Sequence, residues 1–201
     1  MSIKLYHNAY LDIINKEFGS GRYLGPYSHR EVEALIGPFQ SCPLSLVPKL
    51  GKPGKFQAVH NFSYPHESSP TLSINLFIKA ENNPCTWGTF ETICFLISQL
   101  PPELQASVRD MAEAYQTIPA HYSQWPGLVV RLEGEDKYAI NTNNNFGLTS
   151  AGRIYSHLVD TGADILRANG IGLLSKWVDD HILFCILCIY LKSYNANREK
   201  W

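Results

Sequence analysis

Apolar and polar positions follow two rhythms along this chain. Over residues 8–18, Ala9, Leu11, Ile13, Ile14 and Phe18 recur near helical spacing, and Gly19-Ser20-Gly21 closes the helix this predicts. Ser28-His29-Arg30-Glu31 is a capping-box pattern opening a second helix, with Val32, Leu35 and Ile36 on one face and Gly37-Pro38 as its stop. Residues 1–40 therefore read as a small helical lead-in. The rhythm then shifts. Leu44-Ser45-Leu46-Val47 and residues 56–62 read as the strands of a hairpin, joined by a turn rich in Gly and Pro that carries Lys49, Lys52 and Lys55. Residues 63–86 contain Pro65, Pro70 and Pro84 and read as irregular connection, with Ser73-Ile74-Asn75 as a local anchor.

A helix is predicted over 86–100, capped by Thr86 or Thr89, with Phe90, Ile93, Cys94, Leu96 and Ile97 on one face and Pro101-Pro102 at its end. Residues 106–115 begin as a strand and end as a turn or short helix, with Asp110 where the strand gives out. Residues 128–132 and 138–142 form a second hairpin across an acidic turn. The polar stretch 143–152 is a glycine-containing loop opening a helix from about Thr149 to Ala168, with Ile154, Leu158, Ile165 and Leu166 inward. Strands over 173–178 and 181–186 flank Asp179-Asp180, and 182–191 reads as a buried strand running into a helix. The last residues, 190–201, are a polar helix or a loose tail. The fold class that follows is α+β. An antiparallel sheet near 107–110, 173–178 and 181–186 is backed by helices near 87–99 and 149–168, with the two hairpins outside it.

Composition narrows this picture. With 201 residues, 45% hydrophobic and 17% charged, the chain can build one ample core, or one domain with a smaller appendage. A net charge of -1 carries no global signature of a polyanion binder, so any grip on nucleic acid is local. The 5 cysteines are odd in number and sit mostly in apolar runs, which reads as reduced, buried thiols of an intracellular protein. Cys185-x-x-Cys188 lacks the second ligand pair of a zinc knuckle. The N-terminus lacks the apolar core of a secretion signal, and the run 182–191 is far shorter than the roughly 20 residues that span a bilayer.

The stretch Lys176-Trp177-Val178-Asp179-Asp180-His181-Ile182-Leu183-Phe184 carries the candidate chemistry. Two adjacent carboxylates between buried strands are costly unless cations neutralise them, and hard divalent ions take carboxylate oxygens. An ordinary solvated turn gives the same nonapeptide. The lysine hairpin is likewise either a solvated loop or a mobile, positively charged flap for phosphates. The loop at 143–152 is either a plain helix cap or a backbone that lets a ligand approach. What weighs against the bland readings is order. Asp110, at a strand end, lies upstream of Asp179-Asp180. Two-metal phosphoryl transfer needs carboxylates from different strands to share ions roughly 3.5–4 Å apart.

In that order the chain resembles the fingers–palm region of a retrotransposon reverse transcriptase, and is similar to those of fungal retroelements of the tyrosine-recombinase (DIRS) kind. The residues that carry the resemblance are Pro43-Leu44, Val47-Pro48-Lys49, Gly54-Lys55-Phe56 and His60-Asn61-Phe62-Ser63-Tyr64-Pro65, followed by Asp110 with Ala114-Tyr115 and Ile118-Pro119, then Phe146-Gly147-Leu148 with Ser150-Ala151, and Val178-Asp179-Asp180. It covers roughly residues 40–195. It implies RNA-directed DNA polymerase activity with two Mg2+ (or Mn2+) ions held by Asp110, Asp179 and Asp180. The implied partners are an RNA or DNA template with a DNA primer, and deoxyribonucleoside triphosphates. Tyr115 matches the aromatic that walls off the sugar 2'-position, Phe146 and Gly147 the loop against the incoming nucleotide, and Lys49 and Lys55 the basic hairpin at the triphosphate. Trp177 stands where the family has Tyr or Phe.

The chain departs from the pattern in three places. Gln57 replaces the family's usual Arg and with it a bidentate phosphate clamp. Asn144 and Asn145 replace Leu-Pro before Phe146. The family's later palm motifs, thumb and ribonuclease H domain have no counterpart, which implies a fragment of something longer. The competing reading is a catalytically inactive retroelement remnant that keeps the palm fold with at most weak nucleic-acid binding. An RNA-dependent RNA polymerase shares the palm logic but needs a smaller residue than Tyr115.

Overall fold

The computed structural model describes residues 2–66, 70–82, 84, 87–100, 104–133, 136–171 and 173–186. In chain order its elements are α1 (Ser2–Leu5), α2 (His7–Gly19), β1 (Tyr23–Tyr27), α3 (His29–Ile36), β2 (Ser41–Cys42), β3 (Leu44–Pro48), β4 (Phe56–His60), α4 (Phe90–Ser98), β5 (Leu104–Asp110), β6 (Val129–Arg131), β7 (Tyr138–Asn141), α5 (Ala151–Ala168), β8 (Leu174–Trp177) and β9 (Asp180–Ile186). The chain forms two compact units. The first comprises Met1–Lys79 and Tyr115–Ala151, the second Ala80–Ala114 and Gly152–Trp201.

The first unit is built on a four-stranded sheet in the order β1-β7-β6-β2. Its inner strand β7 is buried at every position, because both neighbours and both faces are covered. Alternation along the strands sorts the core into two clusters. Val130 and Ala139 face Tyr10, Ile14, Tyr23, Leu44, Leu46 and Phe62, whereas Val129, Tyr138 and Ile140 face Val32. The hairpin β3–β4 pairs Leu44 with His60 and Pro48 with Phe56, as the alternation predicts. The Ser28–Glu31 capping box forms at the start of α3. Near the end of α2 the buried Glu17 carboxylate is held by Arg22 through two hydrogen bonds of 2.6 and 2.9 Å, which satisfies a charge that burial would otherwise penalise.

Residues 1–40 are not helical throughout. Tyr23–Tyr27 is a strand, which pairs with β7 despite its central Gly25-Pro26, a dipeptide that reads as a turn. Pairing Tyr23 with Asn141 and Leu24 with Ile140 buries Tyr23, and that tertiary gain overrides the local signal.

The second unit holds a three-stranded antiparallel sheet in the order β5-β9-β8, the sheet expected from the apolar runs. α5 buries Ala151, Tyr155, Ser156, Val159 and Ala163. The inward set therefore runs on the i, i+4 row Ala151, Tyr155, Val159 and Ala163, while Leu158 and Ile165, expected inside, are exposed. α4 starts at a Thr89 cap, but none of its residues is buried and Cys94 is exposed rather than inside. The predicted helix and tail beyond Ile186 lie outside the described residues. No described helix is long and apolar enough to cross a membrane.

Candidate active site

The acids of the second unit meet because of strand register. β5 and β9 place Asp110 directly opposite Asp180, and β8 places Trp177 on the other side of Asp180. Directly paired residues of antiparallel strands project to one face, so Asp110, Asp180 and Trp177 share it. Asp179 sits with Val178 in the turn between β8 and β9. Its carbonyl accepts a 3.1 Å hydrogen bond from the Met111 N–H, which ties the turn to the end of β5. Asp110 is exposed and the other two acids are half-buried.

Two carboxylates in direct cross-strand register carry like charges that oppose the pairing. Backbone strain gathers at the same place. Among the described residues, the non-glycine residues with left-handed backbone are Glu113, with φ of 57°, and Val178, with φ of 53°; they stand close in sequence to Asp110 and beside Asp179. For a β-branched residue this region is strongly disfavoured, and such strain concentrates at functional sites.

Among the described residues, no group of three or more His, Cys, Asp or Glu is placed to hold a metal ion. What the register brings together is a pair of hard oxygen donors with a third carboxylate in the adjoining turn. That donor set suits Mg2+, which keeps several water or phosphate oxygens and takes one or two carboxylates from the protein.

Behind this face, β8 is pinned to α5. The buried ammonium of Lys176 pairs with Asp160, hydrogen-bonds the Ser156 hydroxyl at 3.2 Å, and lies 5.5 Å from the centre of the Trp87 ring. Trp87 in turn contacts Trp177, ring centres 6.4 Å apart. The sequence assigns Lys176 no role of its own within the candidate stretch, and Asp160 carries no signal there. Asp160→Leu is expected to destabilise the fold by roughly 3 kcal/mol, because it leaves a buried ammonium unpaired, while adding Lys176→Met should recover most of that loss. Urea melts of the single and double variants check this. A single variant as stable as wild type would show the pair to be dispensable.

The residues expected at the nucleotide belong to the first unit and fall into two groups. Lys49 and Lys55 close the β3–β4 hairpin through a 2.8 Å backbone hydrogen bond and are exposed with Lys52; Gln57 is exposed on β4 opposite Val47. Tyr115 packs against Phe146 with ring centres 4.5 Å apart, and Phe146 remains partly exposed. Gly147 follows with φ of 104°, and a Cβ there would come 2.3 Å from the His60 carbonyl oxygen. Only glycine lets the loop rest on β4 in this way.

Asn144 and Asn145 prove to be the scaffold of that loop. Both are buried. The Asn144 side-chain amide donates to the Ala151 carbonyl at 3.1 Å, and its oxygen accepts from the Asn145 N–H at 3.1 Å. The Asn141 amide donates to the Asn145 side-chain oxygen at 2.6 Å, and the Asn145 amide donates to the Asn143 carbonyl at 3.1 Å. A run of asparagines reads as loop in sequence, yet here it is a satisfied buried network that fixes one conformation.

Beneath the loop, His60 is wholly buried, its Nε2 within 2.8 Å of the Tyr23 hydroxyl, and burial pushes its imidazole down to about 4. The unfolded chain, with His near its ordinary value of about 6.5, binds the proton first as pH falls. The stability from neutral His60 is thus complete above about pH 6.5 and declines to pH 4, by on the order of 3 kcal/mol. Urea midpoints measured from pH 7 to 4 should fall more steeply for the wild type than for His60→Gln; parallel profiles would contradict this.

The sequence matches no family model and no curated protein. Solved structures do match. The foamy viral protease–reverse transcriptase dRH in complex with double-stranded DNA superposes with a TM-score of 0.65 at 16% identity, over 96% of this chain and 28% of that one. The native prototype foamy virus protease–reverse transcriptase gives 0.63 at 14% identity, over 96% and 21%. A further foamy viral complex with double-stranded DNA gives 0.61 at 16%, over 96% and 33%. Identity this low speaks to fold and not to activity. The chain has an α+β fold of the reverse-transcriptase type and spans between 21% and 33% of the length of these neighbours.

Proposed function

We propose that this chain is the fingers–palm part of an RNA-directed DNA polymerase of a retrotransposon, of the DIRS-type fungal kind its motifs resemble. The observation that carries the reading is the register of β5 and β9, which sets Asp110 against Asp180 beside the strained Val178-Asp179 turn. Asp110, Asp179 and Asp180 would hold Mg2+, which when bound neutralises charge on the triphosphate and lowers the pKa of the primer hydroxyl. In the reaction the primer 3'-oxygen bonds to the α-phosphorus of a deoxyribonucleoside triphosphate, the bond to the β-phosphate oxygen breaks, and pyrophosphate leaves. Tyr115, packed on Phe146, blocks a 2'-hydroxyl, and Lys49, Lys52 and Lys55 supply local positive charge to a chain that has none overall. The DNA held by two of the structural neighbours accords with a primer–template partner.

The test is primer extension on poly(rA)–oligo(dT) with Mg2+ and dTTP, beside an Asp179→Asn control. Extension that disappears in the control supports the proposal. If the folded chain does not extend, fusing it to a thumb from a related enzyme decides: extension restored by the fusion supports the reading, and none in either form sinks it. The second reading, an inactive remnant, draws on Gln57 and on the lack of a three-ligand metal group among the described residues. It expects a folded chain, weak nucleic-acid binding and no extension with or without the thumb.

A further inference from the structure

The loop that carries Phe146 and Gly147 is gripped from the side by one amide. Asn75, in the 3-10 turn Ile74–Phe77 after β4, donates from its side-chain nitrogen to the Gly147 carbonyl at 2.9 Å and to the Ser63 hydroxyl at 2.8 Å. Its side-chain oxygen accepts from the Thr149 N–H at 3.0 Å. Its own backbone N–H donates to the Phe62 carbonyl at 3.0 Å. Both amide protons and the amide oxygen are therefore used, and three distant segments (62–63, 75 and 147–149) meet at one residue. All these partners lie in the first unit.

We propose that Asn75 is a positioning residue that sets where the Phe146–Gly147 backbone stands at the nucleotide site. The chemistry is particular to asparagine. Gly147 needs a donor and Thr149 an acceptor, and a single short planar amide provides both in a fork. Aspartate has the same shape but two acceptors. It would keep the Thr149 contact and set a negative oxygen against the Gly147 carbonyl, while the Ser63 hydroxyl can turn to donate. The disturbance from Asn75→Asp is thus aimed at Gly147. His60 beneath Gly147 blocks retreat in that direction, so the loop shifts away from His60 and Phe146 shifts with it.

This inference rests on the polymerase reading for its kinetic consequence, and the experiment separates the two. In steady-state extension, Asn75→Asp should raise the KM for dTTP about tenfold or more, with kcat within about threefold and primer–template affinity unchanged. Ser63→Ala, which leaves the Gly147 and Thr149 bonds in place, should keep the wild-type KM. A wild-type KM in folded Asn75→Asp overturns the proposal, as does an equal rise in Ser63→Ala. If the wild-type chain incorporates no nucleotide in any form, the polymerase reading has failed and amide hydrogen exchange decides the positioning role. Loss of protection at Leu148, whose N–H donates to the Asn145 carbonyl within the loop, in Asn75→Asp with the β6–β7 amides still protected supports it; unchanged protection overturns it.

Discussion

Asp110→Asn is expected to abolish primer extension to within background, a loss of roughly 1,000-fold or about 4 kcal/mol of transition-state stabilisation, while leaving the fold intact or slightly firmer. The two halves of that expectation share one cause. Asp110 and Asp180 face each other across the β5–β9 ladder, so in the absence of a cation their charges oppose the pairing that holds the strands together. Asparagine has the same outline, carries no charge, and can donate to Asp180. The variant therefore removes a repulsion from the sheet and, with it, a hard ligand from the proposed metal site. Thermal melts should place it within about 2 °C of the wild type or above it, and extension assays should find it dead. Retained extension would show that Asp110 is not among the reacting groups; a collapsed fold would show that its role is structural.

Gly147→Ala is expected to cost on the order of 3 kcal/mol or more, lowering the melting temperature by roughly 6–12 °C for a chain of this size. Two penalties add. The left-handed backbone at φ of 104° disfavours any Cβ, and that Cβ would stand 2.3 Å from the His60 carbonyl oxygen and 3.4 Å from the Phe62 ring. Neither neighbour can yield readily. The His60 backbone is paired with Leu44, its ring is stacked on Phe62 at 5.6 Å, and both side chains are buried. Relief by lifting the loop would break the Asn75 contact to the Gly147 carbonyl. A melt within 2 °C of the wild type would mean that the loop has an alternative seat.

Much of this fold is legible before any coordinate is known, and the reasons are local. The β3–β4 and β8–β9 hairpins announce themselves because apolar runs break at residues that cannot continue a strand, and α3 because Ser28 and Glu31 cap it reciprocally. Local signals mislead where a distant partner decides. Gly25-Pro26 reads as a turn, yet the segment completes a sheet with a strand more than a hundred residues away. The aliphatic residues Ile154, Leu158, Ile165 and Leu166 of α5 read as its inward face, but the row that packs is Ala151, Tyr155, Val159 and Ala163. At the candidate site the acids and Gly147 are visible as residue types and Asn75 as part of a local anchor, whereas the partners of Asn75, Asn145 and Lys176 are not. A polar residue reads as solvated until the geometry supplies its partners, and those partners lie 12 to 74 positions away for Lys176 and Asn75.

Val178 has a bearing on how this chain would respond to selection. A branched side chain at φ of 53° costs the fold about 1–2 kcal/mol that glycine or asparagine would return. A library screened for heat tolerance alone should therefore drift toward Gly or Asn at position 178, gaining a few degrees in each lineage. A library screened for nucleotide incorporation should hold a bulky residue there. Divergence between the two populations at this one codon would record, in sequence, how far the turn has been kept uncomfortable for the sake of its neighbours.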